Sequence, residues 1–353
     1  MPFWNVISSS SSKKKKRKEE EEPTEEKLPT GCLHHKNHEK TATGAITSDE
    51  RMNSETNNHH HINNEKIKII EIEHLPLMEN DPKHLLKIVH MSDSHRFHEN
   101  LKNFPEGDVF IHSGDISHKS EWKDCENDQI QTKELESNFK CAPSVISFNK
   151  WLDKLPYKVK IVILGNHDIG FNGISPNFIQ QKILPNAIYL QDQAVIIKYK
   201  GKHLLKIYGT PWTTSRNMGF SMSHSLIDQK WKEIPEDVDI LVTHLPPFGV
   251  MDLAGGSEPQ QYCDYCKKNH KYRRHWGNVA LRKRAIQLNE KGKLKAHLFG
   301  HVHEFHGLEI ERHSKGKVPL IYSNGASVTN HNDTDVKSPN VIEIDMDEIP
   351  DKK

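Results

Sequence analysis

Short runs rich in Val, Ile and Leu recur from Leu85 onward: "LLKIVHM", "DVFIHSG", "VKIVILG", "AVIIKYK", "HLLKIYG", "DILVTHL", "KAHLFG" and "PLIYSNGAS". Each is the length of a strand buried on both faces, and several stop at Gly, Asp, Asn or His. Helical patterns fall between some of them, as in "SVISFNKWLDKL" and "NVALRKRAIQLNEKG". That succession predicts an α/β protein with functional loops at its strand ends. "KIKIIEI", from Lys66, alternates enough to be a further strand, placed at the edge of the fold. No internal repeat is visible. Two polar, irregular stretches, Lys119 to Ala142 and Gly255 to Tyr272, read as surface insertions within one domain.

The chain of 353 residues is only 34% apolar, which is low for a globular protein. Much of that shortage lies in the first eighty residues, so the remainder can still bury a core. Residues 1–64 hold a Ser run, a Lys/Arg block, a Glu block and His- and Asn-rich segments. Such a segment cannot offset its ordering entropy and is expected to be a disordered tail. The domain then spans residues 65–353, with its core at 84–346. The tract His59 to His61 reads as part of the tail rather than as a metal site.

A net charge of +1 gives no overall field that selects nucleic acid or membrane, and no nucleic-acid-binding module is evident. No apolar run approaches membrane-spanning length. At the N-terminus the basic block follows the apolar residues, the wrong order for a secretory signal, and Pro2 stands where myristoylation needs Gly. Five cysteines, Cys32, Cys125, Cys141, Cys263 and Cys266, fit a reducing compartment better than a disulfide framework. The cytoplasm is the expected location. The block Lys13 to Lys18 leaves the nucleus open, although Glu19 to Glu22 neutralises it at once.

Five strand ends deliver chemistry. "SDSH" brings Asp93 and His95, "GDISH" brings Asp115, and "GNHD" brings Asn166, His167 and Asp168. "THLPP" brings His244, and "GHVHEFHG" brings His301, His303 and His306. One such residue is more often a hydrogen-bonded structural group than a ligand. Five in succession are a different matter. Carboxylates, an amide oxygen and several imidazoles are too many for one tetrahedral zinc, and they suit two divalent ions sharing a carboxylate. Residues two apart on an extended strand end point the same way, so Asp93 with His95, and His301 with His303, can converge. Gly114, Gly165 and Gly300 allow tight turns and close approach there.

In that order, these motifs resemble the calcineurin-like metallophosphoesterase superfamily over roughly residues 84–346. "PEGDVFIHSGD", "FNKWLDKLPYKVKIVILGNHD", "YGTPWT", "IPEDVDILVTHLPP" and "KAHLFGHVHEFHG" are similar to the metallophosphoesterase-domain-containing protein family. The resemblance implies a two-sheet β-sandwich flanked by helices, with a dinuclear metal site at the strand ends. It implies one metal on Asp93, His95, Asp115 and His303, and another on Asp115, Asn166, His244 and His301, with Asp115 bridging. It also implies that His167 contacts the phosphate and protonates the leaving group, oriented by Asp168. His306 is expected to be a bystander.

The expected function is a phosphohydrolase using two divalent ions, Mn²⁺ ahead of Fe or Zn²⁺, on small phosphodiesters such as cyclic nucleotides, through a metal-bridging hydroxide. A phosphomonoesterase, or a nucleotide- or metal-binding scaffold with little turnover, are the alternatives. The segment "GDISHKS" lacks the "GDxVDRG" signature of protein Ser/Thr phosphatases in the superfamily, which disfavours that substrate class. Trp212, His275 and Asn324 are candidates for the substrate pocket, and Trp276 can stack a base. Core or loop packing is the bland reading of each. "CDYCKKNHKYRRH" supplies Cys263, Cys266 and His270 as a candidate extra zinc site, with His275 either a fourth member or committed to the cleft. Lys267, Lys268, Lys271, Arg273 and Arg274 form a basic patch in the same stretch.

Overall fold

The computed structural model describes residues 67–81, 85–122, 136–255, 262–316, 318–329 and 334–346. The tail assigned to residues 1–64, the centre of the first insertion with Cys125, and residues 256–261 of the second lie outside these. The first strands in chain order are Ile67–Ile72 (β1), Leu85–Met91 (β2), Val109–Ser113 (β3), Val159–Ile163 (β4) and Ile188–Tyr189 (β5). Gln193–Tyr199 (β6), Lys202–Thr210 (β7) and Ile240–Thr243 (β8) follow. Four short strands come next: Leu253–Gly255 (β9), Tyr262–Cys263 (β10), Lys268–Asn269 (β11) and Arg273–His275 (β12). Ala296–Phe299 (β13), Gly307–Glu311 (β14), Leu320–Asn324 (β15) and Asn340–Asp345 (β16) complete the set.

A five-stranded sheet has the order β16-β2-β3-β4-β5, and a seven-stranded sheet the order β1-β6-β7-β8-β13-β15-β14. The strand period of two sorts their side chains into layers. On β2, Leu86 and Ile88 enter the core between the sheets, while Val89 and Met91 enter the core on the outer face. On β8, Ile240 and Val242 face inward and Leu241 outward, and β13 does the same with Leu298 and Phe299. The helix Pro143–Lys154 covers the five-stranded sheet with Val145, Phe148, Trp151 and Leu152. Helices His224–Lys232 and Val279–Glu290 cover the seven-stranded sheet with Ile227, Trp231, Leu281, Ala285 and Leu288. The architecture is the expected two-sheet sandwich with helices on both outer faces. Strands buried on both sides explain the continuous apolar runs of the sequence.

β1 lies at the edge of the seven-stranded sheet, paired in parallel with β6. The first insertion is less separate than its polarity suggests. Trp122 is buried and its indole N–H donates to Ser117 Oγ at 2.8 Å, while the Phe139 ring packs at a tilt near Trp122 and Phe171. Both ends of that stretch therefore belong to the outer core. Among the described residues no helix is long and apolar enough to cross a membrane.

Candidate metal centre

β2, β3 and β4 are parallel neighbours in one sheet, and β7, β8, β13 and β15 in the other. Parallel strands end on the same side, so the turns after β2, β3, β4, β8 and β13 gather Asp93, His95, Asp115, Asn166, His244, His301 and His303. Those turns are sharp. Asp93, His95, Asp115 and His301 have φ of 50°, 37°, 56° and 71°, in the left-handed region that non-glycine residues seldom adopt. Conformations of this kind persist where surrounding structure enforces them, and they concentrate at functional sites. Two glycines let the loops close in. A methyl group at Gly165 would collide with the Asp115 carboxylate, and one at Gly300 with that of Asp93.

Potential ligand atoms of Asp93, His95 and His303 lie within 4.8 Å of one another, as do those of Asp93, Asp115 and His244. A third group of the same tightness joins His95, Asp115 and His167. Asp115 thus stands between the His95 side and the His244 side. Its Oδ2 is 3.7 Å from His95 Nε2 and 3.3 Å from His244 Nε2.

The hydrogen bonds show what this cluster requires. His95 Nδ1 donates to the Ser117 carbonyl at 3.1 Å, and His244 Nδ1 to the Ser113 carbonyl at 2.8 Å. A carbonyl only accepts, so in each neutral ring the proton is on Nδ1 and a lone pair on Nε2. His95 Nε2 then faces His303 Nε2 at 3.2 Å and Asp93 Oδ1 at 4.0 Å, while His244 Nε2 faces Asn166 Oδ1 at 2.9 Å. His244 Nε2, between Asn166 Oδ1 and Asp115 Oδ2, is a place that favours a positive charge, whether a proton or a metal ion. Burial opposes charge on His244, yet the carboxylates of Asp115 and Asp93 raise its pKa to about 9. Burial alone would raise Asp115, but the surrounding imidazoles, His244 first, hold it well below the usual carboxylate range. The donor set of oxygen and imidazole nitrogen, with each ring fixed by a backbone carbonyl, fits divalent metal.

His301 is placed differently from its neighbours. Its backbone N–H donates to both Asp93 oxygens at 3.1 and 3.0 Å, and its ring lies 5.1 Å from that of His244. Its Nε2 faces Ser215 Oγ at 3.5 Å, outside the three groups just described. His306 points away, with its two nitrogens 3.1 and 3.0 Å from the carbonyls of Ala326 and Ser338.

Several sequence expectations need correction. Asp168 does not orient the His167 ring. Its carboxylate accepts from Ser117 N at 2.9 Å, Ser117 Oγ at 2.7 Å, Gly165 N at 2.9 Å and Ile116 N at 3.4 Å, stapling the two turns together. Burial and the charge of Asp115 push its pKa up to about 7. Asp168→Asn keeps the shape but sets an NH₂ against N–H donors. It should lower stability by about 1–3 kcal/mol, read as a lower urea midpoint. An unchanged midpoint would show that the staple contributes nothing.

Trp212 is a packing residue. Its indole N–H donates to both Asp192 oxygens at 2.9 Å and its ring meets Phe220 edge-on. Asn324 is fully buried, with its amide spent on Val302 O at 2.9 Å and the Ala326 N–H at 3.0 Å, so it braces the His301–His303 loop and cannot reach substrate. His275 turns from the cleft toward Cys266 and Asp252.

Reading strand ends at a spacing of two also missed residues. His118 lies at the mouth of the centre, its ring 5.2 Å from His167 and 6.1 Å from His95. It was present in "GDISH", three positions after Asp115, where that spacing does not look. Ser117 beside it holds His95, Asp168 and Trp122 at once.

A model of the calcineurin-like phosphoesterase family matches residues 86–305 of the chain. A UPF0046 protein of Caenorhabditis elegans is 30% identical over 262 residues, covering 69% of this chain and 76% of that protein. Metallophosphoesterase domain-containing protein 1 of Homo sapiens is 29% identical over 297 residues, covering 77% of this chain and 75% of that protein. A probable rhamnogalacturonate lyase C of Emericella nidulans is 29% identical over 238 residues, 66% of this chain but only 18% of that protein. Paired sheets, strand-end carboxylates and imidazoles, and a family model spanning most of the described residues agree: this chain belongs to the calcineurin-like phosphoesterase family, the metal-dependent hydrolases of phosphoric esters.

Proposed function

We propose that the protein is a phosphodiesterase acting on small phosphodiesters, cyclic nucleotides among them, with Mn²⁺ as its native ion. The observation that carries this reading is the position of Asp115, a buried carboxylate within reach of imidazoles on both sides. Asp93, His95, Asp115 and His303 would hold one ion; Asp115, Asn166, His244 and His301 would hold the other. His301 would join the second set once its ring turns from Ser215. The carboxylate and amide oxygens suit Mn²⁺, while the imidazoles also accommodate Fe or Zn²⁺.

When bound, the divalent pair supplies positive charge that acidifies water and polarises a phosphoryl oxygen. The chain's own residues do the rest. Asp93 and Asp115 set the spacing of that charge. His167 is fixed by its backbone N–H on Asp115 Oδ1 at 2.7 Å, with its ring 4.7 Å from that of His95. There it delivers a proton to the departing alkoxide oxygen. The absence of the "GDxVDRG" signature supports a small ester over a phosphoprotein.

A panel with Mn²⁺ tests the substrate class: bis-p-nitrophenyl phosphate, 2′,3′- and 3′,5′-cyclic nucleotides, nucleotides and simple monoesters. Diesters should exceed monoesters by about tenfold or more in kcat/KM, equivalent to about 1.4 kcal/mol in the barrier. Hydrolysis confined to monoesters would overturn the diester preference. Stoichiometric nucleotide binding without turnover would favour a sensor.

A further inference from the structure

The second insertion carries a group of ligand-type side chains separate from the phosphoesterase centre. β10 and β11 form a small hairpin, pairing Tyr262 with Asn269 and Cys263 with Lys268. Cys263 and Cys266 sit at its turn, and the Cys266 backbone N–H donates to Cys263 Sγ at 3.4 Å. His270 follows β11, and β12 brings His275 back through antiparallel pairing with β9, opposite Leu253. One ligand atom from each of Cys263, Cys266, His270 and His275 lies within 4.8 Å of all the others.

Three further observations point to a cation. Asp252, almost fully buried, accepts from His275 Nδ1 at 2.7 Å, while its other oxygen accepts from Gly249 N at 2.9 Å and Gly277 N at 3.1 Å. That carboxylate fixes the His275 proton on Nδ1 and leaves Nε2 bare, 3.3 Å from Cys266 Sγ. A histidine backed by a carboxylate in this way is the usual arrangement of a zinc ligand. His270 Nε2 is buried without a hydrogen-bond partner. Finally, the hairpin has almost no core of its own. Tyr262, Tyr265 and Tyr272 are exposed, Lys268 and Asn269 likewise, and two-residue strands are not stable alone.

The donor spacing is compatible with a tetrahedral ion. Tetrahedral zinc with Zn–S near 2.3 Å and Zn–N near 2.0–2.1 Å sets its donors about 3.3–3.8 Å apart. Cys266 and His275 already stand at 3.3 Å, and all four donor atoms lie within 4.8 Å of one another. Two thiolates with two imidazoles select zinc over the oxygen-loving ions of the phosphoesterase centre.

We propose that Cys263, Cys266, His270 and His275 hold a closed structural zinc ion, with Asp252 positioning His275, and that this ion pins the insertion to the rim of the active-site cleft. The adjoining Trp276 reaches the cleft: its backbone N–H donates to Asp252 O at 2.9 Å and its ring lies 5.4 Å from that of His301. The zinc ion takes no part in hydrolysis, because all four positions around it are filled by protein.

The full chain, loaded with cobalt(II) in place of native metal, tests this. Thiolate-to-cobalt charge transfer gives a near-ultraviolet band that the phosphoesterase centre, having no thiolate, cannot produce. The band is expected in the unaltered chain and in Asp115→Asn, and is expected to be absent from the double variant Cys263→Ser, Cys266→Ser. Its absence from the unaltered chain, or its survival in the double variant, would overturn the site. Should the double variant fail to fold, alkylation of the unaltered chain followed by peptide mass spectrometry decides. Cys263 and Cys266 should react only after chelation. Equal reactivity with and without zinc, or a Cys263–Cys266 disulfide in freshly isolated protein, would refute the proposal. Neither result touches the phosphoesterase reading, which Asp115→Asn tests separately.

Discussion

Asp115→Asn should strip the phosphoesterase centre of divalent metal and cost about a thousandfold or more in kcat/KM, a loss of about 4 kcal/mol in transition-state stabilisation. The side chain is buried, its Oδ2 faces imidazoles on both sides, and its Oδ1 takes the His167 N–H at 2.7 Å. Asparagine preserves the volume and removes the charge that both proposed ions share. The contrasting variant is His167→Ala, which leaves every proposed ligand in place. It should retain metal and lose about 10²–10⁴ in rate, most on substrates with poor leaving groups. Elemental analysis beside Mn²⁺-dependent hydrolysis checks both. Full metal occupancy and unaltered rate in Asp115→Asn would refute the shared carboxylate.

A second large effect is expected in acid. Burial holds His112 and His297 neutral down to about 3 and His98 down to about 4. Their surroundings agree. Thr243 Oγ1 donates to Leu245 O at 2.6 Å and so accepts from His297 Nε2 at 2.9 Å, leaving His297 Nδ1 buried and unpartnered. His98 Nδ1 is likewise buried without a partner.

An unfolded histidine titrates near 6.5, so between that pH and these depressed values the unfolded chain binds more protons than the native one. Stability is whole above pH 6.5 and falls as pH drops. At pH 4.5 each ring costs on the order of 2–3 kcal/mol. Asp168 opposes them. Its native pKa of about 7 lies above the unfolded value, so it regains about 3 kcal/mol over the same interval. Burial also holds His301 neutral down to about 3 and His306 down to about 4, so the losses outweigh the gain at Asp168 and form a large share of the total for most domains. Metal-free protein should therefore melt far lower at pH 4.5 than at pH 7.5 by circular dichroism. An unchanged melting temperature would show these histidines already charged in the native state.

Much of the centre was legible because its signal is local. A continuous apolar run followed by Asp-x-His states both the strand and what it carries, and parallel pairing of β2, β3 and β4 brings such ends together. Direction was not legible. Asp168 follows His167 in sequence, yet the turn between the sheets aims one toward the cleft and the other at Ser117. Nor was long-range pairing: Trp212 finds Asp192, and His275 finds Asp252 and Cys266. β14 and β16 escaped the reading of apolar runs because they are sheet-edge strands with alternating polar residues, such as Glu309 and Glu311, or Glu343 and Asp345.

The position of β16 bears on how the chain is made. It pairs antiparallel with β2, Leu85 opposite Asp345, from the far end of the described sequence. A ribosome therefore releases β2, β3 and β4 long before the strand that covers β2. Until then the sheet carries an unpaired edge beside the strand-end turns, and His244, His301 and His303 are all translated before β16. The strand that closes the five-stranded sheet is thus made only after every proposed ligand, so the last edge is sealed over a complete set of turns.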